Sequence, residues 1–319
     1  MKRMLITGFS GFVSRHFLNY LYENKLEYEV LGVDVNPPKF ALDAYEPTLS
    51  MSFLQVNLLD QEAVEEMIAS FRPDYILHLA SFSSVAYSWQ HPAECFSNNT
   101  SIFLHVTEAL RKHDLCHCRV LSVGSSEEYG NVSEDELPLR EDMSLVPVNP
   151  YAVARVSQEM MAKVLADSFG MQIMLTRSFN HMGPFQDEQF VIPSFVRRIL
   201  DIQKSGAKSG EIETGDTSII RDFVDVRDVV RAYYQLLMQG KTGEVYNICG
   251  EKGVSLADVV KEIADIVGVE ITTRVNPDFV RPGDNQMVIG SAAKICQDIG
   301  WKAEIPLRQT LTDMIEYMR

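Results

Sequence analysis

Positive charge is scarce in this chain. Its 319 residues carry 29 Lys and Arg against 44 Asp and Glu, a formal net charge of -15. A surface this acidic repels phosphate backbones, so nucleic acid is excluded as a general partner, and only a local basic pocket for one anionic ligand is left open. Long apolar runs are also missing. None approaches the roughly 20 residues that span a bilayer, and the short Met4-Leu5-Ile6 run is expected not to serve as a signal peptide core. Cysteine is sparse and scattered at Cys95, Cys116, Cys118, Cys249 and Cys296, an odd set without a framework that fits free thiols in a reducing cytoplasm. Cys116-His117-Cys118 has no second ligand pair, so no metal site is expected there. No repeat, low-complexity tract or Pro/Gly-rich linker interrupts the chain. What remains is an ordinary globular composition, 46% hydrophobic and 23% charged, with enough length to bury a large core in one big domain or two smaller ones.

Apolar strand-like runs alternate with helical periodicity through the first half. Strands are predicted at 4–7, 29–35, 51–57, 75–80, 119–125 and 172–178, and helices at 11–22, 62–71, 92–113 and 151–169. Strands that are continuously apolar in a βαβα rhythm imply a doubly wound, Rossmann-type parallel sheet covered on both faces. After Asn180 the rhythm breaks into short strands (211–214, 245–249, 271–275) among helices such as 191–203 and 255–267. This predicts a smaller, partly interleaved second lobe. We expect 1–180 plus about 225–250 to form the first domain and 181–224 plus 251–319 the second, with a cleft at the carboxyl ends of the strands.

The first strand runs directly into Gly8-Phe9-Ser10-Gly11-Phe12-Val13-Ser14. Gly8 ends the strand and Gly11 opens the helix, a turn that lets backbone approach a pyrophosphate at a helix N-terminus rich in free N–H groups. Ser14 stands where a third Gly is usual, and its small side chain predicts only a minor adjustment of helix on strand. Asp34 ends the second strand, 23 residues after Gly11, where a carboxylate accepts hydrogen bonds from ribose hydroxyls and repels a 2′-phosphate. No Lys or Arg follows before Lys39, so NAD(H) is expected over NADP(H).

Further along, Ser125-Ser126-Glu127-Glu128-Tyr129-Gly130 closes a strand, and Asn149-Pro150-Tyr151-Ala152-Val153-Ala154-Arg155 opens a helix. Tyr is a poor base at its reference pKa of about 10, and a fixed cation at i+4 on the same helix face favours the phenolate. Ser125 at the strand end would hydrogen-bond the substrate oxygen. Phosphate turn, Ser, and Tyr with a neighbouring cation are the ordered parts of a hydride-transfer site.

These motifs, with His78-Leu79-Ala80, Arg221-Asp222-Phe223-Val224-Asp225-Val226 and Arg281-Pro282-Gly283-Asp284, resemble the extended short-chain dehydrogenase/reductases that act on nucleotide sugars. The similarity runs end to end. The Ser125–Gly130 and Arg177–Pro184 segments most resemble the GDP-6-deoxy-4-hexulose reductases, close relatives of GDP-mannose 4,6-dehydratase. The resemblance implies Tyr151 as general acid/base with Ser125 and Arg155 as partners and Glu127 as a possible second acid/base. It implies cofactor contacts from Gly8, Ser10, Gly11, Phe12, Val13, Asp34, Asn57, Leu58, Leu79, Ala80, Ser81, Asn99, Tyr151, Arg155, Phe179 and His181. Ser126, Asn180, Val191, Arg198, Arg221, Arg281 and Asp284 would hold the sugar nucleotide, the Arg forks suiting its diphosphate. The long helices from Pro92 and Tyr151 would pair with a second subunit's copies in a four-helix homodimer interface.

Three positions depart from the family pattern: Arg155 for Lys, Ser14 for Gly, and Ile102 where a small residue is usual. Reduction at C4 of a GDP-4-keto-6-deoxyhexose ranks first. A 4,6-dehydratase using Glu127, or a 4-epimerase, is the alternative within the class. A catalytically weak NAD-binding sensor or scaffold is the alternative outside it, motivated by Arg155.

Overall fold

The structure is a computed structural model describing residues 1–279 and 285–319. Its strands and helices in the first half are β1 (Lys2–Thr7), α1 (Phe12–Glu23), β2 (Tyr28–Asp34), β3 (Leu49–Gln55), α2 (Gln61–Phe71), β4 (Tyr75–His78), α3 (Val85–Gln90), α4 (Pro92–Lys112), β5 (Arg119–Ser125), α5 (Pro150–Phe169) and β6 (Gln172–Ser178). The second half carries β7 (Asn180–Met182), α6 (Val191–Lys204), β8 (Ser209–Thr214), β9 (Ile220–Asp225), α7 (Val226–Gln239), β10 (Val245–Ile248), β11 (Gly253–Ser255), α8 (Leu256–Val267), β12 (Glu270–Val275), β13 (Met287–Val288), α9 (Ala293–Ile299) and α10 (Leu307–Met318).

Seven parallel strands form one sheet in the order β10-β6-β5-β4-β1-β2-β3. The order reverses direction between β1 and β4, which opens a crevice beyond their carboxyl ends. Alternation along each strand builds two cores. Met4, Ile6, Val30, Leu77, Leu121 and Tyr246 meet α1 and α7 on one face. Leu5, Leu31, Ile76, Val120, Ile173 and Val245 meet α2, α4 and α5 on the other. Ile102 is 3% exposed in that second core, so the larger residue fills space between α4 and the sheet.

A third core gathers Phe195, Ile199, Val259, Ile263, Leu311 and Met314 from α6, α8 and α10. Val288, Ala292, Ile295 and Trp301, though late in the chain, pack into the α1/α7 core instead. Helix boundaries have local causes. Asn149 Oδ1 accepts from the Ala152 amide at 2.8 Å, Pro150 occupies the first turn of α5, and Gly170 at φ +64° ends it. β4 stops at His78, short of the predicted Ala80, because the Leu79 amide bonds Thr7 O at 3.2 Å and the Ala80 amide turns to Thr7 Oγ1 at 3.2 Å.

Candidate active site

The turn between β1 and α1 is shaped to admit a ligand backbone-close. Gly8 has φ +67°, and a Cβ there would lie 2.8 Å from the Ala80 nitrogen and 2.9 Å from the Leu79 carbonyl carbon. Only Gly lets the β1 and β4 ends approach this closely. Gly11 caps α1 without any side-chain hydrogen bond, and no acidic residue sits in the first turn, so the helix's leading N–H groups are left for an anion. Asp34 stands beside this turn, Oδ2 accepting from the Ser10 amide and Oδ1 from the Asn36 amide, each at 3.0 Å. Ser10 Oγ donates to Asn36 O at 2.6 Å. These features fit a dinucleotide: a cradle that a Cβ would fill, an open helix N-terminus and a strand-end carboxylate. Ser14 is fully buried and its hydroxyl has no partner among the described residues. Its packing is thus absorbed without a hydrogen bond.

Further around the crevice, Asn99 Oδ1 accepts from the Phe82 amide at 2.8 Å and its Nδ2 donates to Phe82 O at 3.1 Å, which fixes the loop carrying Leu79, Ala80 and Ser81. Phe12 stacks on His181 with centroids 5.8 Å apart. Burial lowers the His181 pKa, and its Nδ1 lies 3.1 Å from Phe179 O. The Phe179 side chain itself is in the core, 2% exposed, so only its backbone faces this region's chain. Leu58 is buried while Asn57 is exposed, its Oδ1 engaged by the Leu59 amide at 3.0 Å.

Tyr151 and Arg155 sit one turn apart on α5, both nearly buried. Arg155 Nε donates to Tyr151 Oη at 3.3 Å, Nη1 to Gln158 Oε1 at 2.9 Å, and Nη2 to Ser81 Oγ. Ser125 ends β5 and caps the short 3-10 turn Ser126–Tyr129, its Oγ accepting from the Glu127 amide at 3.2 Å. The Asn149 side chain joins this turn to the start of α5, Nδ2 donating to Glu127 Oε2 at 2.8 Å. One Asn therefore both caps the Tyr151 helix and anchors the Ser125 turn.

Behind Ser125 lies a buried carboxyl. Glu128 Oε1 accepts from the Ser125 amide at 2.7 Å. Burial first, then the nearby Glu159 carboxylate, pushes Glu128 up to about 8, so it carries a proton at neutral pH. Burial works on Glu159 in the same sense, but the hydrogen bonds and charge of Arg177 and Lys163 outweigh it and hold Glu159 below the usual range. Arg177 grips Glu159 with both forks, at 2.9 and 2.8 Å. His78 is fully buried, kept neutral by desolvation with its pKa down at about 3, and its Nδ1 is 3.0 Å from Thr7 Oγ1.

A family model described as GDP-mannose 4,6 dehydratase matches residues 5–314. The chain belongs to the GDP-mannose 4,6-dehydratase family. GDP-6-deoxy-D-mannose reductase of Pseudomonas aeruginosa is 31% identical over 310 residues, 97% of this chain and 95% of that protein. The solved structure of RMD from Pseudomonas aeruginosa complexed with NADPH superposes with a TM-score of 0.85 at 30% identity, covering 100% and 99% of the two chains. The UDP-glucose 4-epimerase of Thermus thermophilus in complex with NAD gives 0.83 at 26% identity, covering 99% and 98%. The motif resemblance read from the sequence is borne out at the level of this family, and its relatives hold either nicotinamide dinucleotide. No helix among the described residues is long and apolar enough to cross a membrane, and no metal-binding cluster occurs among them.

In this family member several of the expected substrate residues stand on or beside short strands past β6. Asn180 is exposed at the start of β7, and β7 pairs with β9 so that Asn180 lies opposite Phe223, two positions from Arg221. Arg221 Nη1 donates to Asn285 O at 2.8 Å, and Asn285 Nδ2 reaches back to Gly130 O at 2.6 Å. That chain of contacts ties the Arg221 strand to the loop beside Ser125. Ser126 is nearly buried next to Ser125, and Val191 is exposed at the start of α6. Arg198 instead donates to Glu213 O at 2.5 Å, with its guanidinium 5.6 Å from the Phe279 ring centre. Arg281 and Asp284 lie outside the described residues. Sequence reasoning missed Asn149 as a link, Glu128, Ser122 and Gln158. Asn149 and Glu128 stand inside the quoted motifs, and the i+3 spacing of Gln158 from Arg155 was the available signal for that residue.

Proposed function

We propose that the chain is an NAD(P)-dependent oxidoreductase acting at C4 of a nucleotide-activated hexose, reducing the ketone of a GDP-4-keto-6-deoxyhexose. The observation that carries this is the Arg155 Nε to Tyr151 Oη contact of 3.3 Å at the start of α5, a helix start that Asn149 joins to the Ser125 turn. A reduced nicotinamide held by the Gly8–Ser14 turn would supply the hydride. Tyr151 gives its proton to the C4 oxygen, which turns the carbonyl into a secondary alcohol and leaves a phenolate. Arg155 stabilises that phenolate by charge and hydrogen bond. Ser125 donates its hydroxyl hydrogen to the same substrate oxygen and holds it at Tyr151. Asn180, Ser126, the Val191 backbone and Arg221 would hold the sugar diphosphate, with Arg281 and Asp284 completing the set.

The Asp34 carboxylate supports NADH over NADPH, since its negative charge opposes a 2′-phosphate and no cation follows it before Lys39. The ratio of kcat/KM for the two coenzymes tests this. We assign the first domain to 1–180 plus about 225–250, with Val288, Ala292, Ile295 and Trp301 packed onto it, and the substrate lobe to the remainder. Exposed Phe96 on α4 and Val153, Met160 and Val164 on one side of α5 support a homodimer through these helices, and a monomer mass by light scattering would refute it.

The decisive experiment is a paired assay. NADH oxidation with GDP-4-keto-6-deoxymannose supports the reductase. Ketosugar formation from GDP-mannose supports the second reading, a 4,6-dehydratase, for which the half-exposed Glu127 carboxylate beside Ser125 is the favouring observation. Silence in both with retained dinucleotide binding favours another sugar nucleotide or a non-catalytic sensor or scaffold.

A further inference from the structure

Arg155 is 4% exposed, yet among the described residues no carboxylate pairs with it. Its three hydrogen-bonded partners, Tyr151, Gln158 and Ser81, are all neutral acceptors. The two acidic side chains that share its surroundings are diverted. Glu159 is gripped by Arg177 and Lys163, and Glu128 carries its own proton. The cation therefore keeps its full charge in a place where an unpaired charge is expensive, and something must hold it there.

Gln158 is placed to do so. It lies one turn beyond Arg155 on α5 and is 3% exposed. Its Oε1 accepts from Arg155 Nη1 at 2.9 Å, and its Nε2 donates to Ser122 Oγ on β5 at 2.7 Å. The donor-only guanidinium decides which way the amide faces, because the reversed amide would set an NH2 group against it, and Ser122 Oγ then anchors the far side of the amide by accepting from Nε2. The space among Ser122, Gln158, Glu128 and Arg155 is too small for a water molecule, so no solvent shares the site with the amide. A lysine ammonium is compact and does not need this lateral support. An arginine is longer and planar, and its fork swings about the Nε position unless its outer nitrogens are fixed, here Nη2 by Ser81 and Nη1 by Gln158.

We propose that Gln158, anchored by Ser122, is the positioning residue that holds the Arg155 guanidinium against the Tyr151 hydroxyl, the adaptation that lets this chain use Arg where its relatives' motif has Lys. The proposal rests on the reading of Tyr151 as acid/base. The other titratable groups facing this pair are His78 from β4, Cys95 from α4, Tyr233 from α7, and Glu128 and Glu159.

The test is a double-mutant cycle of Gln158→Leu with Arg155→Lys, assayed with NADH and GDP-4-keto-6-deoxymannose. In the parent, Gln158→Leu should lower kcat by about tenfold or more, leave KM within about threefold, and move the midpoint of the pH–kcat profile to higher pH. In the Arg155→Lys background the same change should cost less than about twofold. A second readout needs no turnover: the difference between the 295 nm alkaline titrations of a variant and its Tyr151→Phe counterpart should move to higher pH with Gln158→Leu. If Gln158→Leu does not fold, Ser122→Ala gives the same shifts, smaller. Equal cost in both backgrounds, or a pH profile and titration that do not move, would overturn the proposal. An inactive parent would sink the reductase reading while the titration still decides the role of Gln158.

Discussion

Replacing Glu128 by Gln should stabilise the protein progressively as pH rises. Glu128 is fully buried, with Oε1 accepting from the Ser125 amide and the second oxygen facing Glu159. Gln keeps the acceptor and offers an N–H where the protonated carboxyl offers an O–H. In the unfolded chain the carboxyl titrates near its ordinary value of 4.5, whereas burial and Glu159 raise it to about 8 in the native state. Between these values the native state holds a proton that the unfolded state has released. Stability is therefore highest below the unfolded pKa and is lost as pH rises toward the folded pKa, by about 1.4 kcal/mol per pH unit. From pH 5 to pH 7 the parent should lose up to about 3 kcal/mol relative to Glu128→Gln. Glu159 is held below its ordinary range by Arg177 and stands in both proteins, so it does not drive the difference. Urea unfolding of both proteins at pH 5, 6 and 7 measures it as a difference in free energy that grows with pH. A difference that stays flat would mean that Glu128 is ionised in the native state, and the account of a protonated acid behind Ser125 would be wrong.

Three further outcomes follow from the site. Tyr151→Phe should reduce kcat by about 10²- to 10⁴-fold while dinucleotide binding, read by calorimetry, stays within about threefold; full turnover would remove Tyr151 from the proton path. Gly8→Ala places a Cβ 2.8 Å from the Ala80 nitrogen at a positive φ, and should weaken dinucleotide binding at least about tenfold and destabilise by about 1–2 kcal/mol. Asn149→Ala removes the cap on Ala152 and the anchor of Glu127 together; it should cost about 2 kcal/mol in thermal or urea unfolding and lower kcat, and a stability loss with unchanged kcat would show that the link between the Ser125 turn and α5 is structural only.

Much of the first half was legible along the chain because its cues are local. Continuous apolar runs such as 119–125 and 172–178 name buried parallel strands, and Asn149-Pro150 with Gly170 marks both ends of α5 through capping chemistry that acts within a few residues. The Gly8–Gly11 turn and Asp34 could be placed for the same reason. Past Asn180 the cues thin out. The strands β7, β11 and β13 have two or three residues each, too short for a period of two to show. Helix α7 was passed over despite apolar residues at Val226, Val229, Val230, Tyr233 and Leu236, a spacing that does signal a helix.

The sequence by itself determined the alternation of elements, the glycine turn, and the Ser, Tyr and Arg of the proposed hydride-transfer site. Only the tertiary structure decided what surrounds them: that Asn149 joins the Ser125 turn to the Tyr151 helix, that Glu128 is buried behind it with its pKa raised, and that Arg155 is braced by Gln158 and Ser81 with no ion-pair partner among the described residues. The physical reason is range. Caps, turns and periodicity are settled between neighbours, whereas desolvation and hydrogen bonding of a buried charge depend on which side chains other strands and loops bring against it, and those partners lie tens of residues away along the chain.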